Sequence, residues 1–138
     1  EWIAVADQAV AYLNRHLGPG ERFLALPYEP LYYYLTDRPS PVPELGFFDS
    51  MNISPLQEQR IIKDLEQQKI PFVLVSNRWW SRERGMGIFG VTYCPELAKH
   101  ISTHFQEDVT YGDWGQDCGW FFPHAVRIFR RVLDGGRP

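Results

Sequence analysis

Ser54-Pro55-Leu56-Gln57-Glu58-Gln59-Arg60-Ile61-Ile62-Lys63-Asp64-Leu65-Glu66-Gln67-Gln68 runs into Lys69-Ile70-Pro71-Phe72-Val73-Leu74-Val75-Ser76, and this stretch decides the fold. Ser54 offers a capping hydroxyl, and Pro55 suits the first helical position because its missing N–H would be unpaired there anyway. Gln57, three residues on, completes a capping box. Leu56, Ile61, Ile62 and Leu65 supply one apolar face, so the spacing predicts a helix to about Gln68. Pro71 breaks it, and Phe72–Ser76 is a short apolar, β-branched run that reads as a buried strand.

The same logic extends outward. Upstream, Ile3, Ala6, Val10, Leu13 and Leu17 recur at helical spacing, so Glu1–Leu17 reads as an amphipathic helix ended by Gly18-Pro19-Gly20. Arg22–Leu26 reads as a strand stopped by Pro27, and Pro30 opens a brief helical turn through Leu35. Pro39, Pro41 and Pro43 force an extended segment. Downstream, Asn77–Thr92 is a long loop, and Pro95 with Leu97, Ala98, Ile101 and Phe105 marks another helix. Val109–Trp114 and Ala125–Val132 read as strands, joined across the turn residues Gly115 to Gly119. The order α-β-α-β-α-β-β predicts a single α/β domain over 1–138. It is a small three-layer sandwich with a mostly parallel sheet of about four strands, the last one an antiparallel edge.

Composition narrows the class. Of 138 residues, 44% are apolar and 22% charged, an ordinary globular mix with enough apolar material for a core. A net charge of −3, without a long run of one sign, gives no footprint for nucleic acid. No stretch approaches the ~18 consecutive apolar residues of a membrane span. The sequence opens on Glu1 without a leader pattern, so the expectation is a fragment of a larger protein. Two cysteines, Cys94 and Cys118, are too few for a disulfide framework, and their pairing stays open.

Several constellations resemble chemistry and are weighed against plainer readings. Gly85-Met86-Gly87-Ile88-Phe89-Gly90 has dinucleotide-fingerprint spacing, but the glycines do not sit directly between a strand and a helix. A flexible or tightly turned loop is the better reading. Glu96, His100 and His104 lie one helical turn apart, yet Ile101 follows His100 where a metalloprotease carries glutamate, and a solvated helix face accounts for them. Asp113 and Asp117 offer a carboxylate pair, but solubilising charges in a hairpin turn are the better reading. No GxSxG elbow or Cys–His pairing is visible, so no catalytic residue, no metal ligand and no cofactor is expected.

Aromatic content, at 15%, is high. Tyr28, Tyr32, Tyr33 and Tyr34 follow the first strand, and Trp79 and Trp80 follow the second. Parallel strands share a carboxyl edge, where open α/β sheets bind ligands. The candidate binding residues there are Tyr28, Glu29, Arg38, Trp79, Trp80, Arg82 and Arg84. The run Arg78-Trp79-Trp80-Ser81-Arg82-Glu83-Arg84 suits a membrane–water interface or a lipid phosphate, since indoles favour the first and arginine the second. Burial of the indoles under the loop, and of Tyr32 and Tyr33 in the sheet end, is the plain alternative. At least one indole must be substantially exposed for the docking reading.

Leu26-Pro27-Tyr28-Glu29-Pro30-Leu31-Tyr32-Tyr33-Tyr34-Leu35-Thr36-Asp37-Arg38-Pro39-Ser40-Pro41 resembles the Pro-Tyr-x-Pro…Tyr-x-Leu-x-x-Arg…Pro segment of bacterial membrane glycosyltransferases. These are relatives of the dolichyl-phosphate-mannose protein mannosyltransferases and the aminoarabinose transferases. Gly18-Pro19-Gly20-Glu21-Arg22, the helix with Glu58-Gln59 and Asp64-Leu65-Glu66 before Pro71–Val75, and the closing Val126–Arg131 are similar too. The Trp79–Gly90 loop and the Gly115–Pro123 stretch depart from the pattern. The resemblance implies a small C-terminal α/β domain following a bundle of membrane helices, on the extracytoplasmic (periplasmic) face of a bacterial membrane. Its implied partners are the membrane-embedded part of the parent protein and a lipid-phosphate sugar or glycan. The catalytic acid is implied to lie in an early membrane loop outside this chain. A self-standing carbohydrate-binding or protein-interaction module is the alternative, followed by a small stand-alone enzyme.

Overall fold

Two buried strands, β1 (Phe23–Leu26) at one edge of the main sheet and β2 (Phe72–Ser76) inside it, pair in parallel in the computed structural model, which describes residues 2–115 and 123–132. Every residue of both strands is buried, so each strand needs a layer on either side. One layer is α1 (Trp2–His16) with α2 (Pro30–Thr36): Ala6, Ala9, Leu13 and Tyr32 pack on Phe23, Ala25, Phe72 and Leu74. The other is α3 (Pro55–Gln67) with α4 (Pro95–His104): Ile61, Leu65, Leu97 and Ile101 pack against Leu24, Leu26, Val73 and Val75. Alternate strand residues thus feed opposite layers, as the two-residue period requires.

The main sheet runs β1-β2-β6-β5, where β5 is Phe105–Tyr111 and β6 is Val126–Arg131. The architecture is the expected α/β sandwich, with β6 antiparallel to its neighbours. Its position differs from the expected edge: β6 lies between β2 and β5, and β5 takes the edge opposite β1. The arginines of β6 suggest an edge, but they lie over neighbours, with Arg127 across the Trp114 ring and Arg131 across Phe105 and onto Glu66. β5 begins four residues earlier than expected because Gln106, Glu107 and Asp108 are exposed on that edge and carry no apolar alternation. A register shift between Glu107 and Val109 turns Asp108 toward Tyr12, whose hydroxyl donates to it.

At α3 the Ser54 hydroxyl accepts the Gln57 N–H at 3.1 Å, but the Gln57 amide donates to Glu44 rather than closing the box. Leu56 is 81% exposed, and the buried face is Glu58, Ile61 and Leu65. Glu58 is buried for a reason. Its carboxylate accepts the Leu97 N–H at 2.8 Å and so caps α4, whose own N-cap, Cys94, makes no side-chain cap.

The glycine-rich loop is a small hairpin of β3 (Trp80–Ser81) and β4 (Gly87–Ile88). Gly87 has φ +78, and a Cβ there would collide with Thr92 and Asp49. Tight turns therefore explain its spacing. Among the described residues no helix is long and apolar enough to cross a membrane.

Candidate functional site

The carboxyl end of β1 and β2 gathers four short segments. They are the Pro27–Pro30 turn, Ser76-Asn77-Arg78, the approach to β6 at Pro123–Ala125, and the start of α1. Asn77, 1% exposed, knots two of them. Its N–H donates to the Ala125 carbonyl, its amide donates to the Pro123 carbonyl at 2.6 Å, and its side-chain oxygen accepts the Ala125 N–H. Ser76 accepts the Arg78 N–H, starting the 3-10 turn Asn77–Trp79. The Arg78 guanidinium reaches Glu29 at 3.3 Å. On the α2 side the Tyr32 hydroxyl meets His124 Nε2 at 2.7 Å, and the Trp2 ring lies 5.6 Å from the imidazole.

These polar groups are deeply buried, and burial governs their protonation. Glu29, 4% exposed, has its carboxyl raised to about 7 by desolvation, with Arg78 and Ser76 pulling the other way. His124 is pushed down to about 4, first by burial and then by the Arg78 charge. Its Nδ1 has no hydrogen-bond partner among the described residues. Tyr32 is raised by burial and by Glu29. Tyr33, whose oxygen accepts the Ala25 N–H at 2.8 Å, is pushed up to about 12, mainly by burial. Tyr32 and Tyr33 thus pack the sheet end, the plainer of the two readings.

The remaining candidates divide. Tyr28 is exposed at this end, edge-on to Phe48. Trp79 is half-buried and stacks on Trp114, 6.4 Å away and 4° from parallel, with Arg127 on Trp114's ring at 4.4 Å. Trp80 is half-buried with the Arg82 guanidinium 5.0 Å from its ring centre. Neither indole is substantially exposed, so the condition set for a bare tryptophan pair fails. Arg82 and Arg84 are exposed.

Arg38 is elsewhere. It donates to the carbonyls of Leu17, Gly18 and Glu21, at the amino end of β1. The helix α2 carries the chain back along the sheet, so Arg38, just past its end, returns to the start of β1. A groove lined by Pro19, Gly20, Glu21, Arg22, Gln68 and Pro71 also lies at that end. On α4, His100 pairs with Glu66 at 2.8 Å and stacks on the exposed His104, so only His104 and Glu96 keep the expected solvated position. Among the described residues no group of three or more His, Cys, Asp or Glu is gathered as for a metal ion. Cys94 is a buried free thiol raised by burial to about 12, while Asp117 and Cys118 lie outside the described residues.

Sequence reasoning missed Asn77, took Arg78 only as part of the docking run and not as the partner of Glu29, and missed His124. A polar pair directly after a buried strand was the available signal for the first two. His124 carried none.

No protein-family model matches this chain, and no curated protein matches it. Among solved structures, one similar chain is the C-terminal globular domain of an oligosaccharyltransferase from Archaeoglobus fulgidus. It is 12% identical, with 91% of this chain and 95% of that one covered, at a TM-score of 0.44. A likeness of that degree carries no inference about activity.

Proposed function

We propose that this chain is an accessory, non-catalytic, extracytoplasmic C-terminal domain of a polytopic bacterial glycosyltransferase that uses a polyprenyl-phosphate sugar donor. Its carboxyl sheet end faces the membrane-embedded part of the parent. The kind of parent is supported by the sequence resemblance centred on Leu26–Pro41. The orientation is argued from one observation: among the described residues, five of the nine exposed large apolar side chains, Trp2, Tyr28, Leu45, Met51 and the 72%-exposed Val91, lie on this end's segments or on the loops tied to them. Hydrogen bonds from Phe47 to Pro27, Asp49 to Met86 and Ser50 to Gly85 bring their loops together. Exposed apolar groups beside exposed arginines suit a surface that is apolar and phosphate-bearing.

In this reading the buried polar groups build the face, and the exposed ones use it. Glu29, Asn77 and His124 hold loops, while Tyr28, Arg82 and Arg84 meet the partner or a lipid phosphate. Trp79 and Trp80 act through packing. Two experiments test the proposal. The gene upstream of residue 1 should encode about a dozen apolar spans of membrane-crossing length; a short reading frame without them ends the reading. The full-length protein carrying Tyr28→Ser, Met51→Ser and Val91→Ser should lose transferase activity while the domain stays folded. Unchanged activity would reject the orientation.

A further inference from the structure

Two cavities, of about 520 and 310 Å³, share the turn Pro19–Arg22 at the amino end of β1 as lining. Their volumes are those that small ligands occupy. Gln68, Ile70 and Pro71 complete the larger one, and Asp37 and Pro39 stand in the smaller. The shared turn is fixed in advance. Arg38 donates to the Gly18 and Glu21 carbonyls at 2.9 and 2.6 Å, and the Glu21 carboxylate accepts the Gly18 N–H at 2.7 Å. At Gly20, with φ +78, a Cβ would meet no atom within 4 Å, so the main chain there faces open space.

Donors and acceptors around this turn are left unspent. Arg22 is half-buried, and among the described residues its one hydrogen bond is a long one, 3.5 Å to the Ser40 carbonyl. Most of its five guanidinium N–H groups are therefore free. The Asp37 carboxylate is exposed and has no partner among the described residues. Gln68 spends its amide N–H on the Pro41 carbonyl and keeps its oxygen. Formal charges cancel, Glu21 and Asp37 against Arg22 and Arg38, so an ion of either sign meets two like charges. A peptide strand has no edge to join: every residue of β1 is buried, and the Ala25 N–H on its outer side is held by the Tyr33 hydroxyl. A neutral ligand dense in hydroxyls matches this lining, because each hydroxyl both donates and accepts. Pro19, Ile70 and Pro71 offer C–H surface to its ring faces. We propose that the amino-end groove binds a neutral oligosaccharide, with Arg22 donating to its hydroxyls and Asp37 and Gln68 accepting from them. The groove lies at the opposite end of the sheet from the face that meets the parent, and either assignment can fail without the other.

An amide and side-chain NMR titration of the whole chain tests it, with N,N′-diacetylchitobiose and maltotriose as probes. At least one of them should give saturable shifts at the Gly20, Arg22 and Gln68 amides and at the Arg22 Nε–H, with a dissociation constant on the order of 1 mM. The Gly85 and Gly87 amides, at the other end, should not move. Arg22→Ala should weaken binding about tenfold and Asp37→Asn about threefold. Both variants should fold, since Arg22 holds one long bond and Asp37, at φ +54, has a backbone that asparagine also adopts. Added salt should leave the affinity unchanged, because neither sugar is charged. The assignment would be overturned by the absence of saturable shifts with both sugars, or by binding that both variants keep. Saturation by inorganic phosphate or by an uncharged glycine–serine peptide, with neither sugar bound, would overturn it too.

Discussion

Arg38 and Arg78 hold the two ends of the same sheet in different ways. At the amino end Arg38 donates to three main-chain carbonyls, those of Leu17, Gly18 and Glu21, which follow α1 and precede β1. None of those acceptors titrates. At the carboxyl end Arg78 meets the buried carboxyl of Glu29, with His124 close enough to feel its charge. Both of those partners titrate. The amino end is therefore a fixed closure and the carboxyl end an adjustable one. Open α/β sheets place ligands at the carboxyl end, and here some of the exposed apolar side chains, Tyr28 among them, lie there as well.

The largest effect should come from the knot at the carboxyl end. Asn77→Ala removes the two side-chain bonds, to the Pro123 carbonyl and from the Ala125 N–H, strands that buried N–H, and is expected to destabilise by about 3 kcal/mol. Urea unfolding at unchanged m checks this; a loss under about 1 kcal/mol would mean that water or the chain replaces the bonds.

Next come two opposed pH slopes. Glu29 has its folded pKa raised, to about 7 from 4.5, so its contribution is fully present below pH 4.5 and is lost as pH rises through 7. The shift corresponds to on the order of 3 kcal/mol. His124 has its folded pKa lowered, to about 4 from 6.5, so its contribution is present above pH 6.5 and is lost as pH falls through 4. The intact domain should therefore show a flattened profile between about pH 4.5 and 6.5. Glu29→Gln should leave only the acid-side loss, and His124→Gln only the loss toward alkaline pH. Parallel curves for both variants would mean that these groups do not govern stability here.

Arg38→Ala should cost about 2 kcal/mol through its three lost charge-assisted bonds, equally at pH 5 and pH 8. A strong pH dependence of that difference would erase the contrast between the ends. The smallest effect is expected at Arg82, whose cation–π contact with Trp80 is half-exposed. Arg82→Gln should change stability by about 0.5 kcal/mol.

Much of the fold was legible because buried strands and capped helices announce themselves. Phe72–Ser76 is continuous apolar sequence bounded by Pro71 and Asn77, and Ser54 caps α3 as its position implies. The placement of β6 was not legible, since arginines that cover aromatic rings look in sequence like arginines that face water. Glu58 shows the same difficulty: a carboxylate inside an apolar face makes sense only once α4 is seen to end on it. Of the candidate site, Tyr28, Glu29 and the Trp79–Arg84 loop were brought together because parallel strands share one end. Arg38 was misplaced because α2 runs long enough to return the chain to the other end. His124 was invisible, because its neighbours come from three distant segments.

The docking face itself is tested most directly by photo-crosslinking in the full-length protein, in native membranes. A photoreactive residue replacing Tyr28 or Val91 at the carboxyl end should link to the membrane-embedded part of the parent. The same residue replacing Tyr34 or Leu35, exposed on the flank of α2, should not. Adducts from Tyr34 or Leu35, with none from Tyr28 or Val91, would contradict the account.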